Sequence, residues 1–310
     1  MGSAAAIGVL GALALVPASA GATVSIGSNL AFEPNASRTC GAMNQCTFVA
    51  SAMTTETVAG GYPSPVNGTV VRWRIRTGSG PGDSAPVALR VVRRNGGLYV
   101  GAGTSGTITP ETGKVTETPV SLPIAIGDLL GINCCDNSDN GNFFLALGGQ
   151  STQQFNLRLP DGGAGLAPNA QFGEQVLINA DIEPTNTFAV GSVVTAKGGA
   201  VTLAVDVPNP GTLRGGDPAD PTVRAHTSKK GKKKKKKKPL LNGTSAAINA
   251  PGPVVLTLTP TAAARKLMHP KAKKGKKKPK GRRIHASVKL VFTPSGGTAS
   301  AQTIGVTLRP

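Results

Sequence analysis

The chain has 310 residues, 39% of them hydrophobic and only 4% aromatic, with a formal net charge of +19. That charge is confined to one half: residues 1–186 hold 9 basic and 12 acidic groups, whereas residues 187–310 hold 25 and 3. Such a balance points to an anionic polymer or an anionic surface as the partner of the second half.

Residues 4–20 form an apolar, small-residue run ending Pro-Ala-Ser-Ala. This is the pattern of a secretory h-region followed by an A-x-A cleavage site, so residues 1–22 read as a cleavable signal peptide. The run is shorter than the roughly 20 residues that a spanning helix needs. A secreted or cell-wall-associated protein is expected, with no transmembrane segment in the mature chain.

Residues 23–181 read as short strands separated by Gly, Pro, Asn and Ser. The expected strands are Cys46–Ala52, Thr69–Arg76, Val87–Arg94, Val115–Leu122, Leu129–Cys134, Phe143–Leu147, Phe155–Leu159 and Gln175–Ile182. In Thr69–Arg76 a strict period of two puts Val71, Trp73 and Ile75 on one face and Arg72, Arg74 and Arg76 on the other. This density of strands and turns predicts a jelly-roll-like β-sandwich. Four cysteines, Cys40, Cys46, Cys134 and Cys135, are an even count in an exported chain and imply disulfides, with three connectivities open. A 40–46 bridge closes a tight loop, and a 46–134 type of bridge ties distant strands. No CxxC pair is present to favour a metal site.

Residues 182–186 (IEPTN) read as a linker, and residues 187–310 as an immunoglobulin-like sandwich. Its expected strands are 187–195, 200–207, 221–227, 244–249, 253–259, 284–293 and 299–308, with a helical turn over Ala262–Met268. Two lysine-rich loops, 228–239 and 265–283, hold too little apolar material to pack and are expected to be disordered. If consecutive strands alternate in direction, Lys197 and both runs share one end of the sandwich, while Asp217 and Asp220 mark the other.

The candidate polyanion-binding residues are therefore Lys197, Lys229, Lys230, Lys232, Lys233, Lys234, Lys235, Lys236, Lys237, Lys238, Lys271, Lys273, Lys274, Lys276, Lys277, Lys278, Lys280, Arg282 and Arg283. Lysine in place of arginine indicates diffuse point-charge attraction without bidentate recognition. Phe188 and Phe292, the aromatics of this half, fall in strands, which argues against sequence-specific nucleic-acid binding. The plainer reading is that both runs are solvating spacers.

The stretches VVRWRIRTGSGPG, VALRVVRR and LPIAIGDLLGI, followed by TFAVG, VTLAVDVPNPGTL, lysine-rich inserts and VKLVFTPSGGTASAQTIGVTL, resemble a two-module arrangement of exported proteins of high-GC actinobacteria. The resemblance covers most of the mature chain and implies export and β-sandwiches. It carries over no functional residues.

Catalytic motifs are missing: there is no HExxH, Walker loop or GxSxG, and residues 1–186 contain no histidine for a triad. Asp136–Gly141 loosely matches the start of a calcium loop, but Leu147 stands where the twelfth-position Glu is needed, so it reads as a hairpin turn. No metal and no cofactor are expected. The sequence is read as a non-catalytic envelope or extracellular protein attached electrostatically to an anionic cell-wall or extracellular polymer. The alternatives are a carbohydrate-binding or adhesin module using exposed Tyr62 or Tyr99, an anion site on Arg72, Arg74, Arg76 and Arg90, and a hydrolase needing two carboxylates across a groove.

Overall fold

A computed structural model describes residues 22–40, 45–52, 61–80, 83–134, 141–220, 238–271 and 280–310. The fold is all-β, built of sandwiches, with one short helix among the described residues. The first sandwich contains β1 Val24–Gly27, β2 Ala36–Arg38, β3 Cys46–Ala52, β4 Gly68–Arg76, β5 Val87–Asn95, β6 Leu98–Thr104 and β7 Val115–Ile124. It continues with β8 Leu129–Cys134, β9 Gly141–Ala146, β10 Ser151–Phe155, β11 Ala170–Phe172, β12 Glu174–Val176 and β13 Ile178–Pro184. The second sandwich contains β14 Ala189–Thr195, β15 Val201–Val207, β16 Gly211–Gly216, β17 Thr244–Ile248, β18 Gly252–Leu258, helix α1 Ala262–Met268, β19 Ile284–Pro294 and β20 Ser300–Leu308.

In the first sandwich the sheet β1-β13-β4-β7 faces the six-stranded sheet β11-β10-β3-β8-β5-β6, with the small sheet β12-β9-β2 beside them. All pairings are antiparallel. Trp73, Ile75 and Val70 from one sheet meet Phe48, Leu89 and Ile132 from the other in the shared core. Each such side chain contributes roughly 1.5–3 kcal/mol by leaving water. The inward residue of β4 is Val70 in place of the expected Val71, because register shifts interrupt the ladder between Val70 and Arg72. That bulge moves Val71 out of the alternation.

The six-stranded sheet is covered on both faces. Its second face buries Val49, Val92, Leu129, Phe155 and Leu159, with Tyr62, Tyr99 and Leu166 packed against them. This explains why β5 is buried at every position from Val87 to Val92, where alternation alone predicts a half-buried strand. β10 lies at Ser151–Phe155, upstream of the expected Phe155–Leu159; Leu159 belongs to the covering segment.

The second sandwich opposes β14-β15-β18 to β17-β16-β19-β20. Its core joins Leu203, Val205 and Leu256 to Leu213, Leu290 and Phe292. Helix α1 closes one end with Ala264 and Met268 buried. Thr261 caps it by accepting a hydrogen bond from Ala264 N at 3.2 Å and donating one to Pro239 O at 2.8 Å.

Three expectations need correcting here. β13 runs through Pro184, with Ile182 opposite Val24 and Pro184 opposite Gly68, so most of the predicted linker 182–186 is sheet. The expected strand 221–227 lies outside the described residues, and the strand between β15 and β17 that the described residues contain is β16. This places Asp217 and Asp220 after β16, in the same connection as the first lysine run and not at the opposite end. The predicted loop 265–283 also takes in the end of α1.

The two sandwiches meet through a polar clasp. Asn209, fully buried, accepts from Asn67 N at 2.7 Å and donates to Asn67 O at 2.9 Å and Thr185 O at 2.7 Å. Asn67 in turn donates to Pro208 O at 2.7 Å and accepts from Ile126 N at 3.0 Å. Asn186 reaches Thr298 O at 3.2 Å beside it.

Candidate functional site

The end of the second sandwich away from this clasp is tied into one knot. Thr261 N donates to Leu240 O at 3.0 Å, and Arg282 N to Met268 O at 2.9 Å. Lys197 and Arg309 are partners in an isolated parallel bridge. Gly199, at φ +85, sits where a Cβ would lie 2.6 Å from Met268 Cε, so the turn after β14 must be glycine to approach the helix.

These contacts bring Lys197, Lys238, Arg265, Lys266, Lys271, Lys280, Arg282, Arg283 and Arg309 to one end, all exposed. The ion pairs among the described residues belong to the first sandwich, so none of them neutralises this group. The acids of this end serve its own backbone. Asp217 accepts from Leu240 N at 2.7 Å and from Ala219 N at 2.8 Å, and Asp220 accepts from Gly243 N at 3.0 Å.

Of the predicted polyanion-binding residues, the structure thus places Lys197, Lys238, Lys271, Lys280, Arg282 and Arg283 together. Arg265 and Lys266, inside the predicted basic segment 265–283 but outside the candidate residues, join them, as does Arg309. Lys229, Lys230, Lys232, Lys233, Lys234, Lys235, Lys236, Lys237, Lys273, Lys274, Lys276, Lys277 and Lys278 lie outside the described residues, as do residues 1–21, Cys135 and the calcium-like stretch 136–140. The chain enters and leaves both runs at this same end, through Asp220 and Lys238 and through Lys271 and Lys280. Beside Lys238 and Lys266, the residues Leu240, Ala262, Ala263 and Leu267 line an apolar groove of about 680 Å³.

The arginines of the first sandwich have other partners. Arg72 and Arg74 both bind Asp181, at 2.5 and 2.9 Å, and Arg74 also binds Glu117 at 2.6 Å. Burial raises the Asp181 pKa, but hydrogen bonds from Arg74, Ser25 and Arg72 outweigh it and hold the carboxyl at about 2. The hydrogen bond to Asp181 likewise raises Arg74, against the effect of burial. Arg90 belongs to the other sheet, is buried, and donates to Leu159 O while pairing with Asp161 at 3.1 Å. The four arginines therefore form no common anion face.

Tyr62 and Tyr99 are packed against the second face of the six-stranded sheet, Tyr99 edge-on to Phe155 at 5.3 Å between centroids. Burial pushes the Tyr62 phenol well above its usual pKa. Glu174 pairs with Arg38. The cysteine cluster is buried: Cys40 and Cys46 are joined by a disulfide, and Cys46 is the ladder partner of Cys134. Cys40 Sγ lies 2.9 Å from Cys134 O, a contact without a proton because the sulfur is bonded.

No family model matches the sequence, and no curated protein matches it. Among solved structures, the glycoside hydrolase domain of Endo-D from Streptococcus pneumoniae R6 aligns at 10% identity and a TM-score of 0.20, over 78% of this chain and 29% of that one. The β-glucuronidase of Faecalibacterium prausnitzii aligns at 13% and 0.20, over 94% and 47%. The β-D-mannosidase of Dictyoglomus thermophilum gives 10% and 0.18, over 84% and 35%. The chain spans less than half the length of each, and scores of this size fall short of a shared fold. No helix among the described residues is long and apolar enough to cross a membrane.

Proposed function

We propose that this is an exported, non-catalytic protein of the envelope or extracellular matrix whose second sandwich attaches electrostatically to an anionic polymer. The observation that carries the reading is the convergence of exposed, unpaired cations on the end from which both lysine runs depart. Residues 187–310 hold 25 basic groups against 3 acids, so positive charge is left for a partner. Attraction of this kind follows counterion release and weakens steeply as salt rises. Lysine chemistry fits repeating carboxylates or phosphates, such as uronic or teichoic acids of a wall.

The test is a salt titration of the full mature chain binding to a soluble polyuronate, compared with a variant lacking residues 229–238. That deletion removes nine lysines, and the slope of log affinity against log salt is expected to fall visibly. An unchanged slope, or no binding at low salt, would assign the runs to solvation alone.

A further inference from the structure

We infer that the partner of the basic end is the surface of an anionic phospholipid bilayer, with Leu267 entering the headgroup region. The inference rests on the electrostatic part of the proposed function and takes an anionic lipid surface, in place of a soluble polymer, as the partner.

A soluble polymer uses only the charge of this end, yet the end also carries exposed apolar area beside its lysines. Leu267 is 53% exposed, although it sits in a helix whose Ala264 and Met268 are fully buried. It projects beside Ala263, one turn earlier on the same helix, and beside Leu240, and these residues line the groove with Lys238 and Lys266 at its margins. Arg265, on the helix itself, and Lys271, just beyond its end, are exposed. Exposed apolar side chains next to exposed cations make a surface that an anionic bilayer complements: phosphates meet the cations while Leu267 passes into the acyl boundary. Helix α1 is 7 residues long, too short to span or to bind as an amphipathic helix by itself. It works as a fixed tip, held by the Thr261 cap and the Met268 contacts.

The magnitudes separate the two contributions. Each cation close to an anionic leaflet is worth about a fivefold gain in partitioning, lost as salt screens it. A half-exposed leucine leaving water adds about three- to tenfold, and this part does not depend on salt.

The experiment is co-flotation of the full mature chain with vesicles of phosphatidylglycerol and phosphatidylcholine, or of phosphatidylcholine alone, at about 0.15 M salt. The comparison protein is Leu267→Gln, an exposed change that should leave thermal unfolding as in the parent. Binding to soluble polyphosphate is measured in parallel. Expected are binding to the anionic vesicles only, a three- to tenfold loss in Leu267→Gln, and equal polyphosphate binding by both proteins. A Leu267→Trp variant should show a blue shift of emission on anionic vesicles, over a constant signal from buried Trp73. Polyphosphate binding without vesicle binding, or vesicle binding indifferent to Leu267→Gln, overturns the inference and leaves the electrostatic reading standing. Failure to bind either probe overturns both.

Discussion

Asp181→Asn tests whether the first sandwich is fastened across β4 and β13 by charge. The side chain of Asp181 is 4% exposed, and it accepts from Ser25 Oγ at 2.6 Å as well as from Arg72 and Arg74. Its pKa of about 2, against an ordinary 3.8, makes the folded state prefer the carboxylate. A depressed folded pKa stabilises above the unfolded value and is lost as pH falls through the folded value. The full effect is about 2 kcal/mol above pH 5, roughly half of that near pH 3, and under about 0.5 kcal/mol at pH 2. Because Arg72 is 44% exposed, solvent screening makes this an upper figure. Urea unfolding of parent and variant at pH 7, 3 and 2 reads it directly. The gap between the two proteins should close over that window. A gap that stays constant down to pH 2 would mean that the asparagine acts through packing, and the charge argument would be wrong.

Two further substitutions probe the frame. Asn209→Ala removes three hydrogen bonds across the junction and strands Asn67 N–H, for an expected loss of about 2–4 kcal/mol. Calorimetry should show the single transition splitting, and limited proteolysis should open the segment after Pro184. Gly101→Ala should destabilise by about 1–3 kcal/mol, because a methyl there would overlap Arg90 Nη2 and Pro160 O. Gly103→Ala, whose methyl would meet Leu122 Cδ2 at an ordinary 3.5 Å, is the control. Equal thermal midpoints for the two alanine variants would contradict the packing described.

The strands that the sequence announces are those whose inward positions are mostly large apolar side chains. β3, β4, β7, β8, β15, β19 and β20 fall within a few residues of their expected places for this reason. β6 and β16 escaped notice because glycine occupies inward positions. Gly101 makes room for the Arg90 guanidinium, and a Cβ at Gly215 would sit 3.0 Å from Leu290 Cδ2. In both, a neighbour's bulk fills the place of the missing side chain, and an alternation pattern cannot register that. Missing β16 also sent Asp217 and Asp220 to the wrong end. The basic end was legible for a topological reason that survived this error: odd-numbered connections of an alternating sandwich return to one side, whatever the bounds of each strand. The part played by α1 was not legible, since Leu267 declares itself only once Ala264 and Met268 are seen to take the buried positions. The cysteine pattern left three pairings open, and proximity of Cys40 and Cys46 across a short loop decides one of them.

Strand β19 runs from the basic end to the junction without interruption, through 11 residues, or about 33 Å of extended backbone. The second sandwich is thus a strut, with its feet at one end and its passenger at the other. At physiological salt an electric field fades over about 8 Å, so the mildly negative first sandwich, carried some four screening lengths away, would not feel an anionic partner held at the basic end. In the proposed function, attraction at one end and presentation at the other would be kept apart by distance alone. Shortening β19 and its partners would bring the two charges into conflict before it disturbed either fold.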